Sequence, residues 1–198
     1  WHGHNIAAVI PHRSKDGYGL NTNRMHELAA QGVSLLLTVD CGISDLEPVA
    51  AARELGIKVV ISDHHLPGPE LPKAEAICNP SLPGSPYSHL AGVGMAFYLM
   101  AQVHSLLEPL SKSGADIRDV LDFVAFGTLA DMVPVTGQNR ILVKNGMLLL
   151  NEGRRPGIAA LKSVSGFAPA APLSAGHISF SLAPRINAAG RLARAEDA

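Results

Sequence analysis

KVVISDHH, Lys58 to His65, is the stretch on which the reading of the whole chain turns. Ile57 leads into Val59, Val60 and Ile61, an apolar and β-branched run of the kind buried on both faces of a parallel sheet. An acid and two imidazoles follow without a spacer. In open α/β sheets ligands bind just beyond the carboxyl ends of the strands, so Asp63, His64 and His65 stand where a site belongs. Asp63 could instead cap a helix or close a turn. Leu66-Pro67-Gly68-Pro69 comes next, however, and is no helix start. Adjacent histidines beside an acid suit metal coordination.

Upstream, Ser34 to Val39 (SLLLTV) repeats the buried-strand pattern and ends in Asp40-Cys41-Gly42. Ile6 to Ile10, ending in Pro11-His12-Arg13, reads as a first strand. Asp16-Gly17-Tyr18-Gly19 is a turn, and Asn21 or Thr22 can cap a helix that runs to Ala30 and is closed by Gly32. Asp45 is placed to cap a second helix to Leu55, closed by Gly56. Strand, helix, strand, helix, strand predicts right-handed crossovers and an α/β fold, a parallel sheet flanked by helices.

Downstream, Ala74 to Cys78 can add a strand. Ala91 to Leu107 is apolar on nearly every face and predicts a buried helix. Its Gly92-x-Gly94 is explained by close helix packing more economically than by a phosphate loop. Further helices are expected over Ile117 to Ala130, Asn139 to Leu150 and Ile158 to Val164. Ser165 to Ser174 is Ala- and Pro-rich and reads as a loose linker.

The chain has 198 residues, 47% of them hydrophobic, enough to bury the core of one ordinary domain. No run approaches the roughly 18 unbroken apolar residues of a membrane span, and no signal-peptide pattern opens the sequence. It begins at Trp1 and stops at Ala198 inside a charged, helix-like run, as expected of an internal piece of a longer protein. Cys41 and Cys78 lack C-x-x-C spacing, which argues against a zinc module or a disulfide scaffold and fits a reducing cytoplasm. Charge is unevenly placed. Up to Asn139 there are eight basic and fourteen acidic residues; from Arg140 to Arg194 eight basic residues face Glu152 alone. That split fits an acidic site followed by a basic arm for an anion such as nucleic acid, or simply a solvated helical surface.

Asp40, Asp63 and Asp131 share one feature: each ends an apolar element. Ionised aspartate is seldom buried without a partner. Asp40 could make an Asx-turn with Gly42, and Asp131 a helix-end turn before Pro134. A divalent cation would serve all three together with an imidazole, and oxygen ligands with one nitrogen favour Mn²⁺ or Mg²⁺ over zinc.

Thr38 to Ser44 (TVDCGIS), Ser62 to Gly68 (SDHHLPG), Gly127 to Pro134 (GTLADMVP) and Leu182 to Leu192 (LAPRINAAGRL) resemble, in order, successive motifs of the DHH phosphoesterases. Within that family the resemblance is closest to the bacterial single-strand-specific exonucleases of the RecJ type. It includes PHRSKDGYGLN near the start and LAGVGMAFYLM in the middle. It implies a hydrolase that removes nucleotides from the 5′ end of single-stranded DNA, with Mn²⁺ or Mg²⁺ in a two-metal site. Asp40, His64 and Asp131 would be metal ligands, His65 would face the scissile phosphate, and Asp63 would orient the site from behind. Paired cations about 3.5–4 Å apart activate a bound water and stabilise the leaving oxygen.

The family's first motif, an Asp-x-Asp run, has no counterpart here, since the first acid is Asp16 in a loop. The chain alone is therefore expected to bind Mn²⁺ weakly and to show little nuclease activity. Without a preceding strand, a sheet edge or core surface would stand uncovered. Residues 1–136 are expected to form the catalytic domain, incomplete at its start, and 137–198 a helical extension and basic connector.

In that connector Arg185 and Arg191 flank Asn187-Ala188-Ala189-Gly190, small residues that would let a phosphate reach the backbone. Guanidinium groups suit a terminal 5′-phosphate. Arg13 and Tyr18 match a loop that faces the strand, where Tyr18 could stack on a base; the alternative is a tight surface turn. Cys41 reads as a small buried residue rather than a soft ligand.

By resemblance the partners would be single-stranded DNA, a single-strand-binding protein and a helicase, with the protein a monomer. Two rivals stand beside this reading: a DHH phosphodiesterase for short oligonucleotides or cyclic dinucleotides, and a nucleic-acid-binding scaffold whose metal site has decayed. A nucleotide-binding Rossmann domain would need glycines where Pro11-His12-Arg13 stands.

Overall fold

A computed structural model describes residues 5–11, 17–111 and 114–192, with side chains at all of these but 110–111 and 189–192. The chain divides into two compact units, residues 11–99 and residues 1–10 with 100–198. Residue 136, the end of the expected catalytic domain, lies between two helices that share one apolar core.

In the unit of residues 11–99, β1 (Leu35–Val39), β2 (Lys58–Ser62) and β3 (Ala76–Cys78) form a parallel sheet in that order. The register pairs Leu36 with Val59 and Thr38 with Ile61. Period-two alternation then puts those four side chains on one face. Helices α1 (Thr22–Ala30) and α2 (Leu46–Glu54) cover it, and Met25, Leu28, Val49, Ala52, Ile57, Val59 and Ile61 make the core. Asn21 caps α1, its Oδ1 accepting from the Arg24 amide at 3.0 Å. On the opposite face Leu35, Leu37 and Val39 are 58%, 40% and 51% exposed.

Two expectations need correction. Ile6 to Ile10 forms no strand among the described residues, and Ile6, Val9 and Ile10 are exposed. Strand propensity is expressed only where a neighbour offers a hydrogen-bonding edge and a face to cover, and here neither is engaged. Helix α3 (Gly92–Ser111) starts in this unit and continues into the other. It is half-buried rather than buried, with Met100 and Leu106 in solvent. Neighbours cover only part of its circumference.

In the other unit a 3₁₀ turn (Ile117–Val120) leads into α4 (Leu121–Ala130), followed by α5 (Gly137–Glu152) and α6 (Pro156–Val164). Then come a single turn, α7 (Ala175–His177), a π-helical turn (Ile178–Leu182) and α8 (Ala183–Leu192). Ala125, Phe126, Leu129, Val143, Leu150, Ile158, Leu173, Ile178 and Leu182 form the core. A Cβ at Gly146 would collide with the Leu121 carbonyl, so α5 lies hard against α4 there. Buried Asp122 accepts from Arg155 Nε at 2.6 Å, and the guanidinium sits 4.2 Å over the Phe123 ring.

Ser165 to Ser174 is no loose linker. Asn151 exchanges side-chain hydrogen bonds with the backbone of Leu173, and Lys162 Nζ donates to the carbonyls of Pro169 and Ala171. Side chains that bond to distant backbone leave no periodic signal, so the sequence hides them. The segment expected as a basic connector is helical at α8. No helix among the described residues is long and apolar enough to cross a membrane.

Candidate metal centre

Two adjacent strand ends make the site. Val39 lies opposite Ser62, and the Asp40 amide donates to the Ser62 carbonyl at 2.9 Å. The residues after β1 and β2 therefore leave the sheet side by side. Asp40 turns at once, with φ 64°. That left-handed conformation costs an ordinary residue about 1–2 kcal/mol, and Asp tolerates it better than most. The turn aims its carboxylate at His64, whose Nε2 lies 3.1 Å from Asp40 Oδ1.

Asp63 is only 1% exposed, yet it is amply hydrogen-bonded. Oδ2 accepts from the Ile43 amide at 3.0 Å; Oδ1 accepts from the amides of His64 at 2.7 Å and His65 at 3.2 Å, and lies 2.7 Å from His65 Nδ1. Burial opposes ionisation, but the bonds from the His65 ring and these amides outweigh it and hold the carboxyl below its usual range. Asp63 is thus an ionised acceptor with both oxygens engaged in hydrogen bonds. Its bond to Nδ1 puts the imidazole proton there and leaves His65 Nε2 as an acceptor or ligand atom.

Around this core stand residues that fix it. Buried Asn79, just after β3, donates from Nδ2 to the His65 carbonyl at 2.9 Å and accepts from the Ser81 amide at 2.7 Å. A Cβ on Gly92, the first residue of α3, would fall on the Asp40 carboxylate. The glycine signals close approach as expected, but what approaches is Asp40 rather than a second helix. Asp45 stands at the start of α2 but does not cap it; its Oδ2 accepts from the Leu20 amide at 2.7 Å. Burial, and Asp63 nearby, raise the Asp45 carboxyl against the pull of that amide. Tyr18 reaches in with its hydroxyl, donating to the Asp40 carbonyl at 2.5 Å and lying 3.3 Å from His65 Nδ1. Its ring is 72% exposed and meets the His65 ring edge-on. Desolvation of the inward-turned hydroxyl, then the charges of Asp40 and Asp63, push the phenol well above its ordinary value.

Asp40, His64 and His65 each offer a ligand atom, and these atoms lie within 4.8 Å of one another. One carboxylate oxygen and two imidazole nitrogens fit a divalent transition ion, and a preference for Mn²⁺ would need further oxygen ligands beside them. The Cys41 thiol is pushed up to about 11 by burial and by Asp45, Asp63 and Asp40. It stays protonated, as befits a small half-buried residue rather than a thiolate ligand.

The other expected site residues lie in the second unit or outside the described residues. Asp131 closes α4 as its C-cap, exposed, with its amide donating to the Gly127 carbonyl at 2.9 Å; Met132 after it is left-handed at φ 58°. Arg185 and Asn187 are exposed on α8, and Arg185 Nη1 donates to the Ser181 carbonyl. Gly190 and Arg191 belong to the last turn of α8, and their side chains fall outside the described residues, as does all of Arg13. Sequence reasoning missed Asn79 and the Ile43 amide as supports. An Asn-Pro pair closing a strand was the only available signal for the first.

The model of the DHH family, N-terminal domain, matches residues 2–128. The single-stranded-DNA-specific exonuclease RecJ of Escherichia coli (strain K12) is 45% identical over 197 residues, 95% of this chain and 34% of that protein. The RecJ of Bacillus subtilis (strain 168) is 41% identical, over 96% of this chain and 23% of its own length. This chain thus spans about a third or less of these relatives. Among solved structures, exonuclease RecJ bound to manganese superposes with a TM-score of 0.80 at 35% identity, covering 95% of this chain and 46% of that one. RecJ from Thermus thermophilus in complex with Mn²⁺ gives 0.74 at 33% identity, covering 89% and 26%.

Proposed function

Because the chain belongs to the DHH family, we propose that it is the metal-binding part of a hydrolase that cleaves phosphodiester bonds in single-stranded DNA from the 5′ end. The observation that carries this reading is the convergence of Asp40, His64 and His65 at two adjacent strand ends. Relatives named as single-stranded-DNA-specific exonucleases, and RecJ structures solved with manganese, support it.

Asp40, His64 and Asp131 would hold Mn²⁺ or Mg²⁺, which when bound supplies an activated water and charge neutralisation at the phosphate. Asp63 holds the His65 ring through Nδ1, and His65 would act toward the scissile phosphate. Arg13, Arg185, Asn187, Gly190 and Arg191 would receive the strand and its 5′-phosphate, and the exposed Tyr18 ring would stack on a base. The free cysteines Cys41 and Cys78 fit a cytoplasmic protein. Single-strand-binding protein and a helicase are the partners that the RecJ-type reading carries with it, and the working state would be a monomer.

The test uses the full-length protein with Mn²⁺ and a 5′-phosphorylated single-stranded oligonucleotide. His64→Ala should lower Mn²⁺ affinity by more than the roughly 10–100-fold that loss of an outer-shell partner costs, and abolish nucleotide release. Hydrolysis confined to dinucleotides would favour the short-substrate phosphodiesterase instead. An unaltered Mn²⁺ affinity in His64→Ala would overturn the ligand assignment.

A further inference from the structure

We propose that the hydroxyl of Tyr18, as distinct from its ring, is a positioning group that holds Asp40 in its left-handed, ligand-presenting conformation. The inference rests on the metal-dependent reading above. Asp40 points its carboxylate at His64 Nε2 only because its backbone bends at φ 64° directly after β1. On the amino side that bend is held by the bond from the Asp40 amide to Ser62. On the carboxyl side the Asp40 carbonyl is turned out of the sheet ladder and receives the Tyr18 hydroxyl at 2.5 Å. The same hydroxyl lies 3.3–3.4 Å from the two ring nitrogens of His65, so one group touches both a candidate ligand's backbone and a candidate ligand's ring.

Tyr18 is itself fixed independently of the ring. Leu20, two residues on, donates its amide to Asp45, and Gly19 is buried so tightly against that carboxylate that a Cβ would strike it. Asp45 belongs to the same loop as Asp40, the loop from β1 to α2. The tyrosine turn is therefore strapped to the segment whose conformation it sets. A ring that is 72% exposed buries little, so packing does not account for this arrangement. A merely tight surface turn would not need a phenol aimed inward at Asp40.

Removing only the hydroxyl separates this role from base stacking. In the full-length protein Tyr18→Phe keeps the ring and loses the donor; Tyr18→Leu loses both. Mn²⁺ dissociation constants from electron paramagnetic resonance, melting temperatures of the metal-free protein, and kcat and KM on a single-stranded oligonucleotide are compared. Tyr18→Phe should bind Mn²⁺ about tenfold more weakly, the equivalent of about 1.4 kcal/mol. It should also lose kcat at saturating metal, with KM and melting temperature unchanged. Tyr18→Leu should show the same losses and a raised KM.

Wild-type Mn²⁺ affinity and kcat in Tyr18→Phe would overturn the proposal while leaving the metal-dependent function standing, since the wild type would still bind and cleave. So would a weakened affinity that merely tracks a fall in melting temperature. A wild-type protein that binds no Mn²⁺ would remove both readings together.

Discussion

Asp63 keeps its charge at 1% exposure because three amides and an imidazole are aimed at its two oxygens. A carboxyl lowered from its ordinary 3.8 contributes stability that is complete above that value and fades as pH falls through the lowered one. Asp63→Asn should therefore be less stable by about 1–3 kcal/mol at pH 7, since one amide donor is left facing an NH₂ group. The gap to the parent should narrow as pH drops below 3.8, where the unfolded chain takes up a proton that the folded carboxylate still resists. Urea titrations of both proteins at pH 7 and pH 3 check this; an equal gap at the two values would mean that shape rather than charge is at stake. Asp63, His64 and His65 were legible in the sequence because three polar residues in a row after an apolar strand have few structural explanations. Asn79 was not, because a buried amide that buttresses a carbonyl fourteen residues away resembles any loop asparagine.

At the scale of elements, the strand runs ending in Asp40 and Asp63 could be read correctly because continuous β-branched stretches between helical patterns admit one arrangement. Ile6 to Ile10 is likewise apolar, though two of its five residues are alanine, and forms no strand among the described residues; a short apolar run does not record whether a neighbour is there to pair with it. The helix over Ala183–Leu192 falls within the segment expected as a helical extension and basic connector, and Pro184 is no obstacle to it, because proline is well tolerated in a first helical turn. Helix α3 was foreseen, but not the reason for its opening glycine. Gly92→Ala should leave helix content unchanged or slightly higher, alanine being the better helix former by about 1 kcal/mol. It should nevertheless weaken Mn²⁺ binding in the full-length protein, because the added methyl occupies the place of the Asp40 carboxylate. Circular dichroism beside a metal titration distinguishes this from simple misfolding. Retained affinity would show that α3 can retreat.

Taken as a whole molecule, the 198-residue chain presents Leu35, Leu37 and Val39 together on the uncovered face of its sheet. Contiguous exposed apolar surface of this kind drives association. The isolated chain should self-associate in sedimentation experiments, and Leu37→Lys should reduce that while changing the melting temperature little, as the side chain is 40% exposed. A monodisperse parent would show that the face is too small or too well flanked to act. The pairing of β1 with β2 has a further consequence. Asp40 and His64 follow neighbouring strands of one ladder, so their backbones start about 4.8 Å apart, the spacing between strands, and the Asp40 turn then brings its carboxylate to 3.1 Å from His64 Nε2. The first of these dimensions belongs to the peptide backbone and is the same in every sheet. An ion preference at the proposed site would accordingly rest on which donor atoms are offered and on the turn that presents them, rather than on the strand spacing.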